Sequence, residues 1–226
     1  VIVPASGSAT RTHDPAGNVL TETDSAAVPV TVTKTYDAVN RLLTETYPDT
    51  SLNAAYTYDE STAAFGKGRL TRRTDPSGTT KFSYERRGLP ALEERTVSTA
   101  AYSVSFRYDG NGNRRLMGYP SGAIYLYTFD FANRPVAIQQ SGGGTLASGA
   151  GYQPFGPIAA WTYGNTRTET RGYDLRYQLT SQIVSGSVVD RAYGHDGLGN
   201  LTSLTDNLAV GNNRIFGYDD LNRLVT

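Results

Sequence analysis

The chain has 226 residues, with 21 Lys plus Arg against 21 Asp plus Glu. A formal charge of zero leaves no overall positive field to hold nucleic acid or anionic lipid. With no cysteine, disulfide staples and zinc-thiolate sites are excluded, and no apolar run approaches the ~20 residues of a membrane span. Hydrophobic residues are only 38% and charged ones 19%; Gly, Thr, Ser and Asn fill the remainder, beside 16 Tyr. Such a chain is too aromatic for disorder and too rich in turn formers for helix, which points to an all-β fold.

Residues 1–10 read as an irregular lead-in, with neither the charged n-region nor the long apolar h-region of a signal peptide. The first residue is not Met, and Asn222-Arg223-Leu224-Val225-Thr226 stops inside what reads as a strand, so a segment of a longer protein is expected.

From there the chain repeats. Tyr36-Asp37-Ala38-Val39-Asn40-Arg41-Leu42 returns as Tyr218-Asp219-Asp220-Leu221-Asn222-Arg223-Leu224, with weaker copies between and before. The Asp position recurs at 14, 37, 59, 85, 109, 130, 153, 174, 196 and 219, a single array of ten units of about 22 residues spanning 1–226. Three residues after the anchor stand Gly17, Asn40, Thr62, Gly88, Gly112, Asn133, Gly156, Tyr177, Gly199 and Asn222, mostly the residue types that tolerate a left-handed backbone. An Asp that accepts hydrogen bonds from the following amides, then such a residue, is the chemistry of a type I turn with a G1 bulge. In the Asp59 unit the glycine comes late, at Gly68, so Glu60 to Lys67 reads as a loop insertion. Tyr177 conflicts with the pattern and implies a different turn there.

A second set of breakers falls about half a period later: Pro48-Asp49, Asp75-Pro76-Ser77-Gly78, Pro120-Ser121-Gly122, Gly142-Gly143-Gly144, Gly164-Asn165 and Asp206-Asn207. Each unit is therefore strand, turn, strand, turn, with a period of two in stretches such as Tyr102-Ser103-Val104-Ser105-Phe106-Arg107-Tyr108. The sum is an antiparallel meander of roughly 20 strands, a ribbon ~95 Å across that twist should wind into a curved or spiral sheet.

The repeated Tyr-Asp-x-x-Asn/Gly-Arg-Leu, carried by the copies at Tyr36, Tyr108-Asp109-Gly110-Asn111-Gly112-Asn113-Arg114, Asp196-Gly197-Leu198-Gly199-Asn200-Leu201 and Tyr218, resembles the YD repeat of the Rhs family. Gly66-Lys67-Gly68-Arg69-Leu70-Thr71 and Asp75-Pro76-Ser77-Gly78-Thr79-Thr80 fit the same resemblance. It covers residues from about 11 to 226 and extends to bacterial Rhs proteins, the C components of Tc insecticidal toxins and, more distantly, teneurins. Glu85, Gln153, Thr62 and Tyr177 break individual copies. The resemblance implies a segment of a hollow Rhs-type β-shell, secreted or on a bacterial surface, that encloses a C-terminal toxin or other polypeptide cargo. The family's self-cleaving core region has no counterpart here, so no protease residue carries over.

Candidate chemistry is sparse. His13-Asp14 and His195-Asp196 pair a base with a carboxylate but occupy the Tyr-Asp position of their units, with no nucleophile marked beside them. Asp109-Gly110-Asn111-Gly112-Asn113 opens like a calcium loop, yet Arg114 and Pro120 stand where Gly and Glu are needed. Gly142-Gly143-Gly144 and Gly149-Ala150-Gly151 lack the Lys-Ser/Thr of a phosphate cradle and read as a flexible hairpin tip. Tyr at 36, 58, 84, 108, 152, 173 and 218 recurs too regularly to be incidental; cross-strand ring pairs are the structural expectation, sugar stacking the functional one. Arg41, Arg69, Arg114, Arg134 and Arg223 should line one surface near the turns, paired with acidic neighbours or solvated.

The expectation is thus a structural scaffold with no catalytic, cofactor-binding or metal-binding residue, no cofactor and no enzymatic activity. Its partners would be flanking segments of the shell and the enclosed cargo, with no nucleic acid. The alternative is an adhesion or carbohydrate-binding module on the same repeats, with a glycan as partner. Unpaired strand edges would also favour edge-to-edge self-association.

Overall fold

The computed structural model describes residues 9–225, so residues 1–8 of the expected lead-in lie outside the described part. By density of contact the chain divides into two compact units, 1–107 with 117–122, and 108–116 with 123–226. The described residues form nineteen strands and two 3-10 turns. In the first unit β1 (Thr10–His13), β2 (Val19–Thr23), β3 (Thr31–Tyr36), β4 (Leu42–Thr46), β5 (Ala54–Tyr58), β6 (Leu70–Asp75), β7 (Gly78–Tyr84), β8 (Pro90–Val97) and β9 (Ala100–Tyr108) pair in sequence order, each antiparallel to the next. After β10 (Arg114–Gly118), the second unit repeats the pattern through β11 (Ile124–Phe129), β12 (Pro135–Gln140), β13 (Thr145–Tyr152), β14 (Ile158–Tyr163), β15 (Thr168–Tyr173), β16 (Leu179–Val184), β17 (Val189–His195), β18 (Leu201–Asp206) and β19 (Arg214–Ile215). The all-β antiparallel meander is as the repeat dictates.

Strand register sorts side chains by size. In the first unit one face carries Thr against Thr: Thr12 with Thr21, Thr21 with Thr33, Thr33 with Thr46 and Thr35 with Thr44. Their hydroxyls bond across strands at 2.6 Å (Thr12–Thr21), 2.8 Å (Thr23–Thr31) and 2.6 Å (Thr35–Thr44). The opposite face carries long polar side chains, with Arg11 opposite Glu22, Lys34 opposite Glu45 and Tyr56 opposite Arg73. The second unit repeats the division: Gly172, Ser181 and Ala192 share one face, Arg171, Gln182 and Arg191 the other.

Little of this is core. Accessible surface is 14732 Å², against roughly 10,000 Å² for an ordinary folded monomer of this mass. Ala54 and Val184 are the buried hydrophobics among the described residues, whereas Thr71, Thr80, Glu169 and Asp206 are buried polar ones. Stability must therefore come from hydrogen bonds and polar cross-strand pairs as much as from apolar burial.

The half-period turns are more varied than the anchor turns. Asp49 caps a 3-10 turn at Thr50–Leu52, and another covers Val210–Asn212. Asp75 and Gly78 close a two-residue hairpin in which a Cβ on Gly78 would sit 1.9 Å from the Thr96 carbonyl oxygen, so only glycine fits. Ser98 takes φ of 53° in a turn that carries no breaker of the expected kind, and Ser187 takes φ of 54° directly after the left-handed Gly186 (φ 79°).

Candidate functional site: the aspartate-turn edge

The anchor aspartates build one edge. At Asp37 the backbone N–H donates to the Arg41 carbonyl at 2.9 Å and the Asn40 N–H donates back to the Asp37 carbonyl at 3.0 Å. One carboxylate oxygen accepts from the Val39 and Arg41 amides at 3.0 and 2.9 Å, and the other accepts from Arg41 Nε at 2.6 Å. Asp14, Asp109, Asp130, Asp196 and Asp219 repeat this arrangement, with Asn or Arg at the fourth following position. The register shift of a bulge falls one residue before the anchor, at Thr12/His13, Thr35/Tyr36, Thr128/Phe129 and Gly194/His195 among others. Asn40, Asn133 and Asn222 take φ of 64°, 61° and 57°, as the turn type requires.

Two expectations need correction. Tyr177 does not change the turn: its N–H donates to the Asp174 carbonyl at 3.0 Å, and the residue is held left-handed at φ 60°. Its hydroxyl donates to the Pro154 carbonyl and its ring lies where a Cβ on Gly156 would be, so contact with the preceding turn offsets the backbone strain. In the Gln153 turn the left-handed residue is Phe155 (φ 53°), not Gly156, because Pro154 favours a type II turn with positive φ at its third residue. The Asp59 turn closes late as expected, with Asp59 N–H bonded to the Arg69 carbonyl at 3.2 Å and Gly68 left-handed.

The recurrent tyrosine couples one unit to the one before. Tyr36, Tyr58, Tyr84, Tyr152, Tyr173 and Tyr218 donate their hydroxyls to the carbonyls of Val19, Leu42, Leu70, Pro135, Ile158 and Leu201, at 3.0, 2.9, 2.6, 2.6, 2.8 and 3.1 Å. The bond thus runs from hydroxyl to backbone, where cross-strand ring pairing was the sequence expectation. Burial, countered by Arg41, pushes the Tyr58 hydroxyl above its ordinary range. The arginine completes the unit: Arg41 lies 4.3 Å from the Tyr58 ring centre and Arg134 4.4 Å from that of Tyr152, each over the next unit's tyrosine. Arg69 and Arg114 stand over Tyr84 and Tyr127 at 5.5 and 5.8 Å, and Arg223 pairs with Asp219 at 2.7 Å. Where Asn replaces Arg, its amide reaches the next unit's asparagine: Asn18 to Asn40, Asn113 to Asn133 and Asn200 to Asn222. The Tyr, Asp and Arg or Asn side chains of the motif thereby find partners in their own turn or in the neighbouring one.

These contacts set the ionisation of the edge. Backbone hydrogen bonds from Arg41, Arg134 and Arg223 hold Asp37, Asp130 and Asp219 below the usual carboxylate range, while side-chain bonds from Asn18, Asn113 and Asn200 do so for Asp14, Asp109 and Asp196.

Sequence reasoning missed a second polar cluster, on the large-residue face. Glu169, 2% exposed, accepts from the Tyr163 hydroxyl, from Arg171 Nε at 2.8 Å and from Gln182 Nε2 at 2.9 Å. Arg171 lies 4.6 Å from the Trp161 ring centre, and Tyr193 donates to Gln182 Oε1 at 3.1 Å. Burial would raise the Glu169 carboxyl, but its three donors outweigh that and lower it.

The candidate chemical groups fall into turn geometry. His13 and His195 pair with Val19 and Leu201 in the register that Tyr36 makes with Leu42, so they substitute for tyrosine in the repeat. Asp109 to Asn113 is an anchor turn, and Gly142 to Gly144 a hairpin tip closed by the Gln140 N–H on the Gly144 carbonyl at 3.1 Å. Gly149-Ala150-Gly151 is not a tip: it lies inside β13, where the register with β14 shifts. The Glu60–Lys67 insertion leans on its neighbour through Tyr84 N–H to the Ala64 carbonyl at 2.9 Å. It borders a recess of about 340 Å³ in which Glu60 and Arg72 already pair at 3.0 Å. No group of three or more His, Asp or Glu positioned to hold a metal occurs among the described residues. No helix among them is long and apolar enough to cross a membrane.

No family model matches the chain, and no curated protein does. Solved structures match its fold. The crystal structure of TcdB2-TccC3 superposes with a TM-score of 0.86 at 17% identity, over 96% of this chain and 13% of that one. TcdB2-TccC3 without its hypervariable C-terminal region gives 0.84 at 17% identity, over 96% and 12%. A Photorhabdus luminescens Tc holotoxin pore with a substituted TccC3 gives 0.81 at 17% identity, again over 96% and 12%. The chain therefore spans about an eighth of the length of the chains it matches, and it shares the fold of a stretch of them.

Proposed function

We propose that this chain, which has the fold of a stretch of Tc-toxin shell, serves as a length of wall that encloses a polypeptide cargo such as a toxin domain. The observation that carries the reading is the edge itself. Each turn is bound to its own aspartate and, through tyrosine, arginine or asparagine, to the next turn. A sheet built this way gains a further rung with each repeat, and its strands pair with one another instead of with a guest.

The role is physical, not catalytic. The anchor groups are spent on backbone and neighbouring side chains, and the histidines stand in for tyrosine. The sugar-stacking alternative draws less support, because the tyrosines it needs already donate their hydroxyls to the preceding unit. By the same analogy the natural protein would be delivered outside the cell that makes it.

Limited proteolysis of the natural full-length protein tests this. A cargo sequence inside the wall should survive protease in native buffer and be cleaved once the wall is opened with denaturant. Cleavage of every non-repeat segment at the same rate with and without denaturant would contradict enclosure.

A further inference from the structure

The insertion from Glu60 to Lys67 serves no need of the turn it interrupts. The Asp109 turn closes on Asn113, four residues on, whereas Asp59 must reach across the insertion to Gly68 and Arg69. The added residues are nonetheless built to hold a shape. Ala63 N–H donates to the Glu60 carbonyl and Gly66 N–H to the Ala63 carbonyl, each at 3.1 Å. Gly66 is buried where a Cβ would meet the Thr71 methyl at 2.6 Å. Compact surface loops of this kind are often functional.

Beneath the loop the threonine face of the sheet changes character. Register sets Thr57, Arg72, Lys81, Glu94 and Ser103 side by side across β5 to β9. Arg72, Lys81 and Glu94 line the recess of about 340 Å³ with Glu60, Ala63 and Leu92, a volume within the ~300–1,000 Å³ of small-molecule sites. Two of its charges are engaged. Glu60 takes Arg72 Nη2 on one oxygen at 3.0 Å and the Thr71 hydroxyl on the other at 2.9 Å. Lys81 and Glu94 are different: they are register partners on neighbouring strands, yet neither side chain has an ion pair or hydrogen bond among the described residues. Opposite charges across a strand pair ordinarily stabilise each other, and here both are left to the recess.

We propose that the recess binds a zwitterionic dipeptide, its ammonium on Glu94, its carboxylate on Lys81 and an apolar side chain against Leu92 and Ala63. The charges select this class. A simple anion would satisfy Lys81 but face the Glu94 carboxylate, and a simple cation would meet the reverse; a ligand carrying both signs satisfies both. The lengths agree, since directly opposed residues lie about 4.5–5.5 Å apart at Cα and two extended residues span at most about 7 Å. Further wall does not compete for the strands that form the floor, because β6, β7 and β8 already have both edges paired within this chain. The site does not depend on the wall reading.

Isothermal titration calorimetry of the chain with glycyl-leucine, taken to about 10 mM, tests it. Binding should be saturable, and N-acetyl-glycyl-leucine and glycyl-leucinamide, each lacking one charge, should bind at least about tenfold more weakly. Lys81→Met and Glu94→Gln should each lower the affinity for glycyl-leucine to a similar degree with an unchanged β-sheet circular dichroism spectrum, while Lys81→Arg, which keeps the charge, should retain binding. No saturable binding of glycyl-leucine, equal binding of the two blocked ligands, or affinity unchanged in both Lys81→Met and Glu94→Gln would each overturn the proposal.

Discussion

Acid should destabilise this chain. The thermal midpoint is expected to hold steady from about pH 8 to 5 and to fall steeply below about pH 4, where free Asp and Glu begin to take up protons. The sign follows from the turns. Asp14, Asp37, Asp109, Asp130, Asp196 and Asp219 all sit below their ordinary value of 3.8 in the folded chain, each as an acceptor from amides and an adjacent Asn or Arg. A carboxyl held low in the folded state contributes stability that is present above its unfolded pKa and lost as pH falls through the folded one. Asp59, Asp75 and Asp206 are shifted the same way, so the losses fall in one window. Because the units share edges, protonation of several anchors removes neighbouring rungs together and the transition should be cooperative. Thermal melts followed by circular dichroism across this range measure it directly; a midpoint flat down to pH 2 would mean that the turn carboxylates do not hold the fold.

Replacing Glu169 should be the most damaging single substitution on the large-residue face. Glu169→Ala removes the acceptor shared by Tyr163, Arg171 and Gln182 and leaves a cation beneath Trp161 without its carboxylate. Breaking a buried pair by deleting one partner costs about 3–5 kcal/mol, against the 0.5–3 kcal/mol of an average substitution. Glu169→Gln keeps an acceptor oxygen and the side-chain volume, and should recover part of the loss. Urea denaturation gives the two values, and equal stabilities for wild type and Glu169→Ala would show that the cluster contributes nothing net.

The anchor turns were legible in the sequence because their chemistry is local. Asp37 bonds to amides two and four residues on, and Asn40 supplies the backbone conformation, so a seven-residue motif contains most of the cause. The tyrosine's purpose was only half legible. Its recurrence marks a structural part, but its acceptor is a carbonyl 14–17 residues earlier in sequence, as with Tyr84 to Leu70 and Tyr36 to Val19, and only the strand register brings the two together. Glu169 was not legible for the same reason: Gln182 is its partner across β15 and β16, and nothing local marks the pair. Tyr177 and Phe155 misled because residue preference is weaker than context; a neighbouring turn can hold a bulky side chain left-handed, and a preceding proline can move the left-handed position by one.

Cryo-electron microscopy of the natural full-length protein tests the account most directly. The map should place these repeats in a β-wall that closes around a chamber holding density for additional polypeptide. A repeat region with solvent on both faces and no enclosed volume would contradict it.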